Sequence, residues 1–184
     1  LLRPQNSIQP SPGQGFGIFH SKNNKTVAVI NLMGNVFMKK SEDVFETAKQ
    51  FIKKIKLKDN ADFIVIDVHG ETTSEKMAMA YLFDGKATVL IGTHTHVPTS
   101  DNRIMEKGTA YQTDIGMCGD YNSVIGMNRD NSLNKFLKES STKKNFPALG
   151  KATISGVLVT ADEKTGLALK IQQIIIGGVL QERF

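Results

Sequence analysis

Three of the four histidines in the chain follow two apolar runs, and they are its most chemically informative side chains. His69 follows the run at 64–68, and His94 and His96 follow the run at 88–92. Neutral imidazole is a good ligand for zinc, iron, manganese and copper. Because ligands of open α/β sheets bind outside the carboxyl ends of the strands, these positions predict a metal centre.

The spacing of the histidines supports a shared ion. In an extended segment, residues two apart point to the same side, so we expect His94 and His96 to approach one cation. Histidine ligands usually need a second acceptor that fixes the ring tautomer, and carboxylates can serve. The carboxylates that lie close to strand ends and could be such acceptors are Asp67, Glu71 and Asp114. The alternative is three polar side chains that are hydrogen-bonded in loops.

The elements around these histidines predict a β-α-β unit. Residues 62–68 and 87–92 are expected to be strands, and the continuous apolar run at 62–68 favours burial on both faces. Thr72 and Glu75 have the spacing of a capping box, which predicts a helix from there to about Phe83. Parallel neighbours joined in this way bring both strand exits to one edge of the sheet. The expected buried side chains of the helix are Met77, Ala78, Tyr81 and Leu82.

The rest of the sequence predicts further strands and two more helices. Ser41 is expected to open an amphipathic helix, and a short helix is expected at 132–138. A glycine-rich loop occupies 116–126. Together these features predict the α/β class and a single domain over 1–184. The remaining expected strands are 15–19, 26–32, 109–114, 152–160 and 167–176.

Composition narrows the function classes. The 184 residues are 40% hydrophobic and 22% charged, which is typical of a globular domain. The single cysteine, Cys118, favours a reducing compartment, so we expect a cytoplasmic protein. No apolar run is long enough for a membrane span. The net charge of +5 comes with no tryptophan and only three tyrosines, none of them among the clustered lysines, so we do not expect nucleic-acid binding.

Several segments carry a family resemblance. Residues 67–76 and 92–97 resemble the last two metal motifs of calcineurin-like metallophosphoesterases. The wider sequence is similar to the YmdB-like branch of that family, which is associated with hydrolysis of 2′,3′-cyclic nucleotides and other phosphodiesters. The segments that carry this similarity are 2–4, 15–19, 99–104, 108–117 and 123–127.

The resemblance implies an α/β sandwich with a two-metal site and a small-molecule phosphodiester substrate. Iron, manganese or zinc would activate a hydroxide that attacks phosphorus. His69, His94 and His96 would be metal ligands. The ion that each histidine would serve is left open.

The chain departs from the family pattern in its first motifs. The Asp-bearing, Gly-Glu-Asn and Gly-Asn-His motifs, the last of which carries the expected general acid, do not occur in these 184 residues. Two cations need roughly eight to twelve ligand positions, more than three imidazoles supply. The chain therefore resembles the C-terminal two thirds of such an enzyme, lacking its N-terminal strands and helices. Alone, we expect it to bind fewer metal ions or none and to hydrolyse phosphodiesters little or not at all.

Two other functions remain open from the residues alone. One is a hydrolase or lyase with a single zinc ion held by His69, His94 and His96 and with water in the fourth position. The other is a non-catalytic domain for assembly or partner binding. The apolar segment 174–176 is consistent with a strand or with contact in a homo-oligomer.

Overall fold

Two sheets and the helices around them form the part of the chain that the structure describes. In this computed structural model the described residues are 1–8, 12–138 and 144–184. The elements in chain order are β1 (Phe16–His20), β2 (Thr26–Met33), α1 (Val44–Lys54), β3 (Phe63–His69), α2 (Thr73–Phe83), β4 (Val89–Thr93), β5 (Arg103–Ile104), β6 (Ala110–Gln112), β7 (Gly119–Asp120), α3 (Arg129–Phe136), β8 (Ala152–Ala161) and β9 (Ala168–Ile176).

The larger sheet has the strand order β1-β2-β3-β4-β6-β5. Strands β2, β3, β4 and β6 are parallel to one another, while β1 and β5 are antiparallel edge strands. In the register, His69 lies between Met33 of β2 and Thr93 of β4. The predicted parallel unit of β3, α2 and β4 is thus confirmed, and so is the α/β class. The short strand β5 was not among the predicted elements.

Both faces of β3 are covered, as its continuous apolar sequence predicted. Ile64, Ile66 and Val68 are buried in a core that includes side chains of both α1 and α2. On the opposite face, Val65 packs against a smaller cluster that includes Ala168 of β9. Because side chains alternate along a strand, Asp67 and His69 lie on the same face as Val65, the face covered by β8 and β9.

The first helix starts later than predicted. Asp43, not Ser41, is its N-cap: the Asp43 carboxylate accepts a hydrogen bond from the backbone N–H of Glu46 at 2.8 Å. The Ser41 hydroxyl instead accepts from the side-chain amide of Asn35 at 2.9 Å. The predicted apolar stripe is confirmed, with Val44, Ala48 and Phe51 buried. The N-cap therefore lies two residues later than predicted, about half a turn, while the Ser41 hydroxyl is used in a local hydrogen bond.

The second helix was predicted at the correct place, and its buried face is partly as predicted: Met77 and Leu82 are half-buried against the core, whereas Ala78 and Tyr81 are exposed. Its N-cap Thr72 makes no side-chain capping bond, and Glu75 accepts from the backbone N–H of Asn35 at 2.8 Å instead. Tyr81 is 67% exposed, whereas Lys76 is 1% exposed. The buried residues are Glu75, Lys76, Met79, Ala80 and Phe83. The two charged residues of the helix, Glu75 and Lys76, are buried because each has a polar partner, Asn35 for Glu75 and Asp114 for Lys76. A prediction from hydrophobicity alone places charged residues at the surface.

None of the helices in the described ranges is both long and apolar enough to cross a membrane.

Candidate metal centre

Two of the three predicted ligands lie side by side at the carboxyl edge of the larger sheet. His69 is the last residue of β3, and His94 directly follows β4. The Nε2 atom of His69 lies 3.1 Å from the Nδ1 atom of His94. The two rings are nearly perpendicular, at 85°, with centroids 4.8 Å apart. The structure therefore brings together side chains that are 25 residues apart in sequence.

A chain of polar contacts across three strands supports the His69 ring. Its Nδ1 atom lies 3.1 Å from the Thr93 hydroxyl. That hydroxyl donates to a carboxylate oxygen of Asp67 at 2.9 Å. The other Asp67 oxygen accepts from the side-chain amide of Asn31 at 2.6 Å. Asp67, one of the carboxylates noted in the sequence, therefore reaches the ring through a hydroxyl group.

The outer side of His94 faces a second carboxylate. The Nε2 atom of His94 lies 2.9 Å from Glu71 Oε2. The Glu71 side chain is 51% exposed, so this contact lies at the surface. His94 has a φ of +113°, a backbone conformation that is rare for residues other than glycine. Such strain persists only where the surrounding structure imposes it, and it is concentrated at functional sites.

The surroundings of His69 favour its neutral form. Burial lowers the pKa of His69, and the adjacent His94 lowers it further through like-charge repulsion. Only a neutral imidazole offers a lone pair to a metal ion. The environment of His69 is therefore suited to ligand binding near neutral pH.

His96 has a different contact. Its φ is +67°, and its Nδ1–H group donates to the backbone carbonyl of Ile125 at 2.8 Å. The expectation that His94 and His96 approach one cation rested on an extended backbone, but both residues have positive φ, so the alternation of a strand does not apply to them. A cation shared by these two residues stays a prediction. Since a carbonyl can only accept, a neutral His96 has its lone pair on Nε2.

A buried ion pair anchors the backbone between these two histidines. Lys76 and Asp114, each with a side chain 1% exposed, are 3.1 Å apart. The same Asp114 oxygen accepts from the backbone N–H of Thr95 at 2.9 Å, and the other accepts from Gly116 at 2.9 Å. Sequence reasoning noted Asp114 but missed Lys76. A lysine among the apolar residues of α2 was the available signal.

The spacing of the two ring nitrogens fits a single metal ion. With metal–nitrogen bonds of about 2.0–2.1 Å, nitrogens 3.1 Å apart subtend roughly 95–100° at the ion, which suits adjacent ligands. Within the described ranges, no group of three or more His, Cys, Asp or Glu side chains is arranged to hold a metal ion. His69 and His94 therefore fit as a ligand pair and supply part of a coordination shell.

A cavity of about 350 Å³ adjoins His96. This volume is within the range of small-molecule sites, roughly 300–1,000 Å³. The lining is His96, Val97, Met117, Tyr121, Ser123, Val124 and Ile125. Much of it comes from the glycine-rich loop, so that loop shapes a concave and largely apolar surface beside a candidate ligand.

The sequence and the fold were compared with known proteins. The profile of the YmdB-like protein family matches residues 1–174. A Bacillus subtilis (strain 168) protein named 2′,3′-cyclic-nucleotide 2′-phosphodiesterase is 42% identical over 181 residues. The match includes 96% of this chain and 65% of that protein, so the chain spans just under two thirds of the relative's length.

Two crystal structures share the fold. A hypothetical protein from Thermus thermophilus superposes with a TM-score of 0.86 at 34% identity, over 96% of this chain and 67% of that one. A protein described as a novel phosphatase from Mycoplasma pneumoniae superposes with a TM-score of 0.84 at 36% identity. That match covers 96% of this chain and 63% of the other.

Proposed function

We propose that this chain, which belongs to the YmdB-like protein family, provides part of the active site of a metal-dependent phosphodiesterase. The family resemblance carried by the sequence motifs is confirmed by the matched profile and by 42% identity to the B. subtilis protein. The observation that supports a metal-dependent reaction most strongly is the 3.1 Å approach of His69 Nε2 to His94 Nδ1. We include iron, manganese or zinc as the metals, because imidazole binds all three.

Each histidine has a distinct part in this proposal. His69 and His94 hold one ion through the nitrogens that face each other. His96 presents its Nε2 atom either to a second ion or to substrate, because Ile125 holds its Nδ1–H group. Bound metal ions supply a nucleophilic hydroxide and neutralise phosphate oxygens in such enzymes. The Lys76–Asp114 pair keeps the backbone of Thr95, and with it the two flanking histidines, in position.

We propose a 2′,3′-cyclic nucleotide as the substrate, after the name of the B. subtilis relative. The cavity beside His96 is large enough for an organic group and is lined mainly by apolar side chains. A phosphodiester near the histidines would place the base or the ribose towards this cavity. The single cysteine favours the cytoplasm as the place of the reaction.

The test is a chimera in which this chain replaces the matching 65% of the B. subtilis relative. With Mn²⁺ present, we expect the chimera to hydrolyse 2′,3′-cyclic AMP. His69→Ala and His94→Ala should each lower kcat at least 100-fold. His20→Ala, at an exposed histidine on the edge strand β1, is the matched control and should leave the rate unchanged.

The 184-residue chain assayed alone should hydrolyse the substrate near the background rate, because two or three imidazoles cannot complete a two-ion site. Enzyme-like turnover by the chain alone would contradict this part of the proposal. A folded chimera without activity, or one that tolerates both alanine substitutions, would contradict the function itself.

The geometry gives less support to a single zinc ion held by three histidines. Among the described residues, no three His, Cys, Asp or Glu side chains are arranged to hold one metal ion. In addition, the Nδ1–H group of His96 is hydrogen-bonded to the backbone carbonyl of Ile125. A non-catalytic assembly role and a homo-oligomer remain untested predictions.

A further inference from the structure

We infer that Thr93 and Glu71 are positioning residues that place the ring protons of His69 and His94 on opposite nitrogens. The inference rests on the proposed function only for the identity of the bound group, a metal ion. In it, Thr93 directs the His69 lone pair to Nε2, and Glu71 directs the His94 lone pair to Nδ1. The two lone pairs are then on the nitrogens that face each other, 3.1 Å apart, on rings that are nearly perpendicular.

The direction of the Thr93 hydroxyl follows from its partners. Thr93 Oγ1 lies 2.9 Å from Asp67 Oδ1 and 3.1 Å from His69 Nδ1. A hydroxyl has one proton to donate, and a carboxylate can only accept. The Thr93 proton therefore lies towards Asp67, so Oγ1 accepts a hydrogen bond from the Nδ1–H group of His69. In a neutral ring this leaves the His69 lone pair on Nε2, the atom that faces His94.

The orientation of Asp67 is itself fixed. Its other oxygen accepts from Asn31 Nδ2 at 2.6 Å, and the register places Asn31 directly beside Asp67 on the neighbouring strand. Thr93 is likewise the register partner of His69. The relay thus runs over adjacent positions of three parallel strands, which hold side chains more precisely than loops do.

Glu71 acts on His94 from the other side. Its carboxylate lies 2.9 Å from His94 Nε2 and can only accept, so Nε2 carries a proton. A neutral His94 then has its lone pair on Nδ1, and a cation bound by Nδ1 and His69 Nε2 would remove the repulsion between the two lone pairs, which face each other across 3.1 Å. Carboxylate partners of this kind fix the ring orientation of metal-binding histidines and raise their basicity.

The experiment measures the tautomers directly, without any hydrolysis assay. Long-range ¹H–¹⁵N NMR spectra of the metal-free chain at roughly pH 8, above the ordinary histidine pKa, distinguish Nδ1–H from Nε2–H rings. We expect His69 in the Nδ1–H form. Thr93→Val keeps the shape of the side chain but lacks the hydroxyl, and it should shift His69 towards the mixture seen for the exposed His20. Thr93→Ser restores a hydroxyl and should restore the Nδ1–H form.

Zn²⁺ titration followed in the same spectra gives a second readout. Thr93→Val and Glu71→Ala should each weaken Zn²⁺ binding about 10- to 100-fold. Thr93→Ser should bind Zn²⁺ like the original chain. Glu71 is half-exposed, so Glu71→Ala should fold normally and leave the His69 tautomer unchanged.

Wild-type His69 in the Nε2–H form would overturn the inference whether or not the variants fold. It would equally fail if Thr93→Val kept the Nδ1–H form, or if Glu71→Ala bound Zn²⁺ unchanged. None of these outcomes depends on phosphodiesterase activity. An inactive chimera would therefore contradict the proposed function but not this inference, and the wrong tautomer would contradict this inference but not the proposed function.

Discussion

Among individual side chains, Lys76 and Asp114 anchor the backbone of the loop that carries His94 and His96. Both side chains are almost fully buried, and Asp114 also accepts hydrogen bonds from the backbone of Thr95 and Gly116. Removing one partner of a buried ion pair is strongly destabilising, because the other charge stays buried without a partner of opposite sign. The carboxylate of Asp114 therefore stabilises the fold and also positions the backbone between His94 and His96.

We expect Asp114→Ala to lower the free energy of unfolding by about 3–5 kcal/mol, because Lys76 would become an unpaired buried charge. Urea denaturation followed by circular dichroism measures this difference. The matched control is Glu46→Ala, which breaks an exposed ion pair with Lys49 and should change stability little. Equal effects of the two substitutions would show that burial of the Lys76–Asp114 pair is unimportant.

Among the secondary-structure elements, strand β4 contains Gly92 because helix α2 and the segment after β6 pack too closely against it to leave room for a side chain. A Cβ atom on Gly92 would overlap the backbone carbonyl oxygen of Thr113 and would lie 2.7 Å from Lys76 Cδ. Gly92 also accepts a hydrogen bond at its carbonyl from the Ile115 N–H at 3.0 Å. The close approach of these segments holds β4, and hence His94, against α2 and the segment after β6.

Gly92→Ala should therefore destabilise the fold by at least about 1–3 kcal/mol, since a backbone carbonyl cannot move aside as a side chain can. Gly156 on β8 is a matched control, because a Cβ atom there would meet nothing within 4 Å. Gly156→Ala should be neutral or slightly stabilising. If thermal unfolding gave the same midpoint for both variants, the close packing around Gly92 would be refuted.

The sequence predicted the elements better than their orientations. Alternating and continuous apolar runs located β2, β3 and β4 to within two residues, and this alone brought His69 and His94 to one edge. The cap at Asp43, the buried face of α2 and the bend at 94–96 were not predicted. The burial of Lys76 depends on Asp114, a partner distant in sequence, and the bend depends on positive φ values at His94 and His96. The cap at Asp43, in contrast, is set by a local hydrogen bond to Glu46.

For the molecule as a whole, Tyr111 links global stability to pH. Its ring is fully buried on β6, under the Arg103 guanidinium at 4.9 Å. Burial raises the pKa of Tyr111 to about 12. The phenol of an unfolded chain ionises near pH 10, so between about pH 10 and 12 the unfolded state loses this proton while the folded state retains it. The free energy of unfolding therefore falls as the pH rises through that interval.

We expect the stability advantage of the original chain over Tyr111→Phe to shrink as the pH is raised from about 9 to 12, across the interval between the unfolded and folded pKa values. Lysines and the other tyrosines titrate in both proteins, so their contributions cancel in the difference. Guanidinium unfolding at several pH values provides the measurement. A difference that stayed constant over this range would mean that Tyr111 ionises as readily in the folded protein as in the unfolded one.

The histidine pair lies at the carboxyl edge of the larger sheet, with His69 on the face opposite the helical core. Whether this pair is a metal site is decided by the position of a bound ion in a crystal of the chain soaked with Zn²⁺, located by anomalous scattering. We expect the ion within about 2.0–2.2 Å of His69 Nε2 and His94 Nδ1. Zinc bound only at other residues, with these two nitrogens still in contact with each other, would contradict the assignment of a metal centre.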